Sequence, residues 1–160
     1  VPAYLQSGIY TPRPSIRTLS NAMDVGSPSN FARMQDLYKG AAERSTWNNL
    51  KTKISGYAFT DAETEAAVKE VFEQYQYIID PHGAVGYLAL KEYQKEHPDS
   101  IGVILETAHP SKFKADVDRI LEMNTPVPKR LAVLTTREKV ASPMSTDYQD
   151  FKTWLQENIR

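Results

Sequence analysis

Three times along this chain a short apolar run ends in a small polar turn and passes directly into a helical pattern, and this alternation restricts the possible folds more than any other feature. Residues 54–59 (ISGYAF) precede Thr60 and Glu63, which are spaced as a capping box, and Val68, Val71, Phe72 and Tyr75 then share one helical face. Residues 77–80 (YIID) lead through the turn 81–83 (PHG) into a predicted helix over 84–96, with Val85, Leu88 and Tyr87 inward. Residues 101–105 (IGVIL) are apolar on both faces, as a buried parallel strand must be, and a helix over 111–121 follows. A fourth run at 130–135 (RLAVLT) reads as another strand, and 148–159 as a terminal helix. The alternation predicts an α/β fold, a parallel sheet with flanking helices formed by residues 1–160 as one segment. Ligands of such sheets collect outside the carboxyl ends of the strands.

The first part of the chain has a different character. Pro2, Pro12, Pro14 and Pro28, with Gly8 and Gly26, argue against regular helix over residues 1–28. Phe31, Met34, Leu37 and Tyr38 then fall at helical spacing, which predicts a helix over 29–39 capped by Ser29 or Asn30 and stopped by Gly40. Residues 41–52 are ambiguous, with room for a short second helix.

Composition excludes several classes of function. Nineteen Lys and Arg against 20 Asp and Glu leave a net charge of −1, so nothing general attracts the chain to nucleic acid or an anionic membrane, and any anion site must be local. Without cysteine there are neither disulfides nor thiolate metal sites, which fits a cytoplasmic protein. No apolar stretch approaches the roughly 18 residues of a membrane span. The opening Val1, followed by a polar, Pro-rich lead, is expected of a chain entered in its middle or of a processed or trimmed N-terminus.

Chemistry-bearing residues gather at three turns. In 27–33 (SPSNFAR) a helix start offers unpaired N–H groups, and Ser29, Asn30 and Arg33 have the donors of a phosphate cradle; a plain helix cap with a solvated arginine explains the same residues. Asn21 and Asp24, in the preceding SNAMD (20–24), line the same cavity or only fix the turn. In DPHGAVG (80–86), Asp80 ends a strand, Pro81 blocks its continuation, Gly83 permits close approach, and His82 is aimed at the crevice or is a structural hydrogen-bonder. In ETAHPSKF (106–113), Glu106, Thr107 and His109 leave the end of the third strand. Asp80, His82, Glu106 and His109 are ligand types that suit zinc, but they lack HExxH or comparable spacing, so no metal is expected. Neither a GxGxxG nor a P-loop pattern occurs, and the aromatics sit at core spacing rather than as a base-stacking platform.

The words SNAMD, PSNFAR, DPHGAVGYLAL and ETAHPSKF stand here in an order that resembles the C-terminal part of the threonine synthase family, and the resemblance covers nearly the whole chain. It implies a fold-type II pyridoxal-phosphate enzyme, in which Thr107 faces the pyridine nitrogen of the cofactor. Ser29, Asn30, Arg33, His82 and Asp24 are then placed on the substrate, O-phosphohomoserine, which the family converts to threonine by γ-elimination of phosphate and β-addition of water. The Schiff-base lysine and glycine-rich phosphate loop of that family have no counterpart here; Lys112, in SKF, is not a substitute. The resemblance therefore implies a fragment, inactive alone, whose partner is the N-terminal part of the same enzyme. A stand-alone α/β module that binds a small anion without catalysis is the alternative from another class.

Overall fold

The computed structural model describes residues 1–21, 25–39 and 45–159, and the predicted Gly40 stop lies outside them. The chain divides into two compact units, Val1–Pro126 and Val127–Arg160.

In the first unit, two apolar clusters organise the helices. The smaller is built on α1 (Pro2–Ser7), α2 (Phe31–Leu37) and α3 (Ser45–Lys51). Phe31 stands edge-on to Tyr4, with centroids 4.8 Å apart, and stacks on Tyr10 at 4.1 Å, while Leu50 is fully buried beside them. Helix α1 corrects the expectation that residues 1–28 hold no regular helix. Pro2 occupies its first turn, where no N–H is needed, and Gly8 ends it at φ 72°, a left-handed conformation for which glycine is suited.

The larger cluster is built on α4 (Asp61–Tyr75), α5 (Pro81–Glu96) and α6 (Lys114–Leu121). Ala67, Val68 and Val71 of α4 pack with Ile79, Ala84 and Ile120, and Tyr87 and Leu88 flank them. The expected capping box starts α4: Thr60 Oγ1 accepts from Glu63 N–H, and Thr60 N–H donates to Glu63 Oε2 at 2.7 Å. Tyr75, expected inward, is instead exposed at the last turn. Helix α5 begins at Pro81 rather than Ala84, because Asp80 caps it and the supposed turn PHG is already its first turn. A 3-10 turn, Pro110–Phe113, precedes α6.

The parallel sheet does not form among the described residues: none belongs to a strand. The runs 54–59, 77–80 and 101–105 are non-helical as expected, but a strand requires a neighbour to accept and donate its backbone hydrogen bonds, and these runs have none among the described residues. The third nevertheless keeps a strand's period of two. Ile101, Val103 and Leu105 are 96%, 82% and 78% exposed, whereas Gly102 and Ile104 lie against Leu90 and Gly86 of α5.

In the second unit the expected strand at 130–135 is helical. Pro128 O accepts from Leu131 and Ala132 N–H and opens α7 (Lys129–Ala132), and a 3-10 turn, Val133–Thr136, continues it. Thr135 and Thr136 hydroxyls donate back to the carbonyls of Ala132 and Val133, a local alternative to strand pairing. The terminal helix α8 (Tyr148–Asn158) forms as expected, capped by Asp147, which accepts from Gln149 N–H at 2.7 Å. Among the described residues no helix is long and apolar enough to cross a membrane.

Candidate active site at the start of α5 and the end of segment 101–107

Two of the sequence words converge. Asp80 is fully buried, and its Oδ1 accepts from His82 N–H at 2.8 Å, which fixes the first turn of α5. The His82 ring stands edge-on to Phe113 of ETAHPSKF, with centroids 5.1 Å apart, and its Nδ1 lies 3.2 Å from Asp80 Oδ1 without the alignment of a hydrogen bond. The same turn receives Glu106. Although Glu106 as a residue is exposed, its carboxyl group packs on Gly83: a Cβ at residue 83 would collide with Glu106 Oε1 and stand 2.7 Å from its Cδ.

The electrostatics follow from this packing. Burial, and then the hydrogen bond and charge of Asp80, push the Glu106 carboxyl up to about 7, against a smaller opposing pull from the Asp80 backbone N–H. Burial also raises the Tyr77 phenol, with the charges of Glu106 and Asp80 adding to it. Thr107 is exposed at the end of the 101–107 segment and continues the outward parity of Ile101, Val103 and Leu105. His109 serves a structural role, because its Nδ1 accepts from Ser111 N–H at 3.1 Å and meets Ser111 Oγ at 2.8 Å, capping the 3-10 turn. Among the described residues no cluster of three His, Asp or Glu could hold a metal.

Ser29, Asn30 and Arg33 lie apart, exposed around the start of α2. The expected side-chain cap is absent there. Asn30 has helical φ and ψ, and the amides of Phe31, Ala32 and Arg33 donate to the carbonyls of Pro28, Ser29 and Asn30 in a tight turn, so these N–H groups are not free for an anion. Asp24 lies outside the described residues. Asn21 Nδ2 donates to Ile16 O, and Asn21 Oδ1 accepts from Thr18 Oγ1 at 2.7 Å, so Asn21 does fix its turn. Beside that turn a cavity of about 320 Å³ is lined by Arg13, Ser15, Thr18 and Asn21 among others. Sequence reading passed over Arg13, whose place in a Pro-rich lead carried no signal, and grouped Glu106 with Asp80, 26 positions away, only as zinc-ligand types.

A family model described as threonine synthase, C-terminal, matches residues 83–154. Threonine synthase of Haemophilus influenzae is 36% identical over 97% of this chain and 34% of its own length. The crystal structure of threonine synthase from Escherichia coli superposes with a TM-score of 0.77 at 32% identity, over 98% of this chain and 35% of that one. A crystal structure of PLP-bound threonine synthase from Brucella melitensis shares the fold at a TM-score of 0.72 and 24% identity, over 99% of this chain and 38% of that one. The chain spans about a third of the length of the curated relatives it matches. By these matches, the chain is similar over nearly its whole length to the C-terminal part of threonine synthases.

Proposed function

We propose that this chain is the C-terminal part of a cytoplasmic enzyme that converts O-phosphohomoserine and water to threonine and phosphate with pyridoxal phosphate. The observation that carries the reading is the meeting of DPHG and ETAHPSKF at one turn, with Thr107 presented just beyond it. When bound, the cofactor supplies an electron sink for carbanions next to the substrate amine.

The residues at this turn fit that group in one specific respect. The exposed Thr107 side chain makes no hydrogen bond or ion pair among the described residues, and an uncharged hydroxyl facing a pyridine nitrogen leaves that nitrogen largely unprotonated. His82 forms part of the wall, held by Phe113 on one side and Asp80 on the other. Arg33, exposed and without an ion pair among the described residues, supplies charge for the substrate phosphate, with Ser29 and Asn30 beside it in the chain; Asp24 is assigned to the same substrate by the family resemblance alone. The Schiff-base lysine and the loop for the cofactor phosphate come from the other two thirds of the enzyme. That portion also supplies the strands that complete a parallel sheet on segment 101–105, whose outward apolar face needs a covering layer.

The test is Thr107→Val in the full-length enzyme, which keeps shape and removes the hydroxyl. The variant should fold and retain cofactor but lose turnover of O-phosphohomoserine and shift the cofactor's absorption; Thr107→Asp should shift it differently, because a carboxylate favours a protonated pyridine. Wild-type turnover and spectra in both variants would remove Thr107 from the cofactor, and failure of the wild-type enzyme to form threonine would overturn the function.

A further inference from the structure

The turn at the start of α5 buries a polar atom that the capping of the helix does not use. Asp80 Oδ1 is spent on His82 N–H, whereas Asp80 Oδ2 is buried with no donor of fixed hydrogen among the described residues. Native folds rarely leave such an atom unsatisfied. The side chain placed at this turn to bond it is another carboxyl, that of Glu106, which packs on Gly83. Two ionised carboxylates cannot form that bond, but one proton between them makes it. The other groups facing the pair are His82, whose Nδ1 is 3.2 Å from Oδ1, and the Tyr77 phenol. No lysine or arginine forms an ion pair with either carboxyl among the described residues, so a cation does not replace the proton.

We propose that Glu106 is a positioning residue: as a carboxylic acid it donates its proton to Asp80 Oδ2 and latches the end of segment 101–107 to the first turn of α5. Gly102 and Ile104 anchor the inward side of the segment on α5, and Glu106 is its last inward anchor before Thr107. Gly83 is what lets the carboxyl approach the helix start, since any Cβ there collides with it. The latch holds while the pair carries its proton and opens as pH rises through about 7, when a second negative charge appears beside Asp80. Its consequence for catalysis rests on the reading of Thr107 as the cofactor contact, but the latch itself does not.

Two substitutions change the polarity of the pair while keeping its shape. In Asp80→Asn, Oδ1 still caps α5, and Nδ2 now donates to the Glu106 carboxylate. In Glu106→Gln, Nε2 donates to Asp80 Oδ2 at every pH. The experiment follows the Glu106 carboxyl carbon by NMR in protein labelled at glutamate Cδ, the Glu106→Gln variant assigning the signal, together with amide exchange at His82, Gly83 and Thr107. Glu106 should titrate near 7 in the wild type and clearly lower in Asp80→Asn, where the charge of Asp80 is gone and only burial still raises it. Protection of the three amides should fall across pH 6 to 8 in the wild type beyond the ordinary rise of exchange with base, and stay level in Glu106→Gln. An ordinary Glu106 titration unmoved by Asp80→Asn, or protection that falls equally in Glu106→Gln, would overturn the latch. Thr107→Val in the cofactor-loaded full-length enzyme separates the two ideas. Unchanged spectra there with a raised Glu106 titration would discard the Thr107 reading and keep the latch.

Discussion

Adding one methyl group at Gly83 should destabilise this chain, although the same change in an ordinary helix stabilises it. Alanine in a helix is favoured over glycine by up to about 1 kcal/mol. At residue 83, however, the new Cβ would stand 2.8 Å from Ile79 Cγ1 and 2.7 Å from Glu106 Cδ. The Glu106 carboxyl ends a flexible side chain and can swing into water. Ile79 cannot, because it is 3% exposed and packed against Ala67, Val68 and Ala84. Overpacking of this kind costs about 1 to 3 kcal/mol, so the net loss expected for Gly83→Ala is about 1 kcal/mol. At a urea slope of about 2 kcal/mol/M, the unfolding midpoint should fall by about 0.5 M. The loss should also depend on pH. The folded-state pKa of Glu106 is raised from 4.5 to about 7, so its stabilising contribution is fully present below pH 4.5 and is lost as pH rises through 7. Gly83→Ala displaces Glu106 and forfeits that contribution, so the gap between wild type and variant should be wider at pH 5 than at pH 8. Urea titrations followed by far-UV circular dichroism at both pH values provide the measurement. A midpoint that rises, or a gap that is the same at both, would show that Gly83 is not in contact with Ile79 and Glu106 as described.

Thr60→Ala removes one half of the capping box and should destabilise the first unit by about 0.5 to 2 kcal/mol, seen as early loss of amide protection at the start of α4. Leu50→Ala opens a cavity among Tyr4, Phe31 and Trp47 and should cost about 2 to 5 kcal/mol, read in the urea midpoint and the tryptophan fluorescence; a loss below about 1 kcal/mol would mean that the aromatic cluster is not packed. Arg33→Ala in the full-length enzyme should raise KM for O-phosphohomoserine by roughly 10- to 150-fold, the worth of a charge-assisted contact of about 1.5 to 3 kcal/mol, while leaving the urea midpoint within about 0.5 kcal/mol of wild type. Unchanged kinetics would return Arg33 to the role of a solvated surface charge.

Elements whose partners lie within a few residues were legible in the sequence. Thr60 and Glu63 bond to each other across one turn, and Val68 with Val71 falls on one face by helical period alone. The four words of the resemblance were likewise readable as words, and the similarity to threonine synthases agrees with them. What escaped was decided by competition or by distance. The run 130–135 has strand composition, yet Pro128 and the two threonine hydroxyls offer its backbone nearer partners, and helix wins. Strand character at 101–105 is written in its continuous apolar run, but a ladder needs a neighbouring strand, and none pairs with it among the described residues. Asp80 was marked as a strand end and is instead a helix cap, a local fact that its spacing to His82 allowed. Its second oxygen is another matter: Glu106 reaches it only because α5 and segment 101–107 pack through glycines at 83, 86 and 102, and no local pattern in sequence encodes a contact made 26 residues away by the absence of side chains.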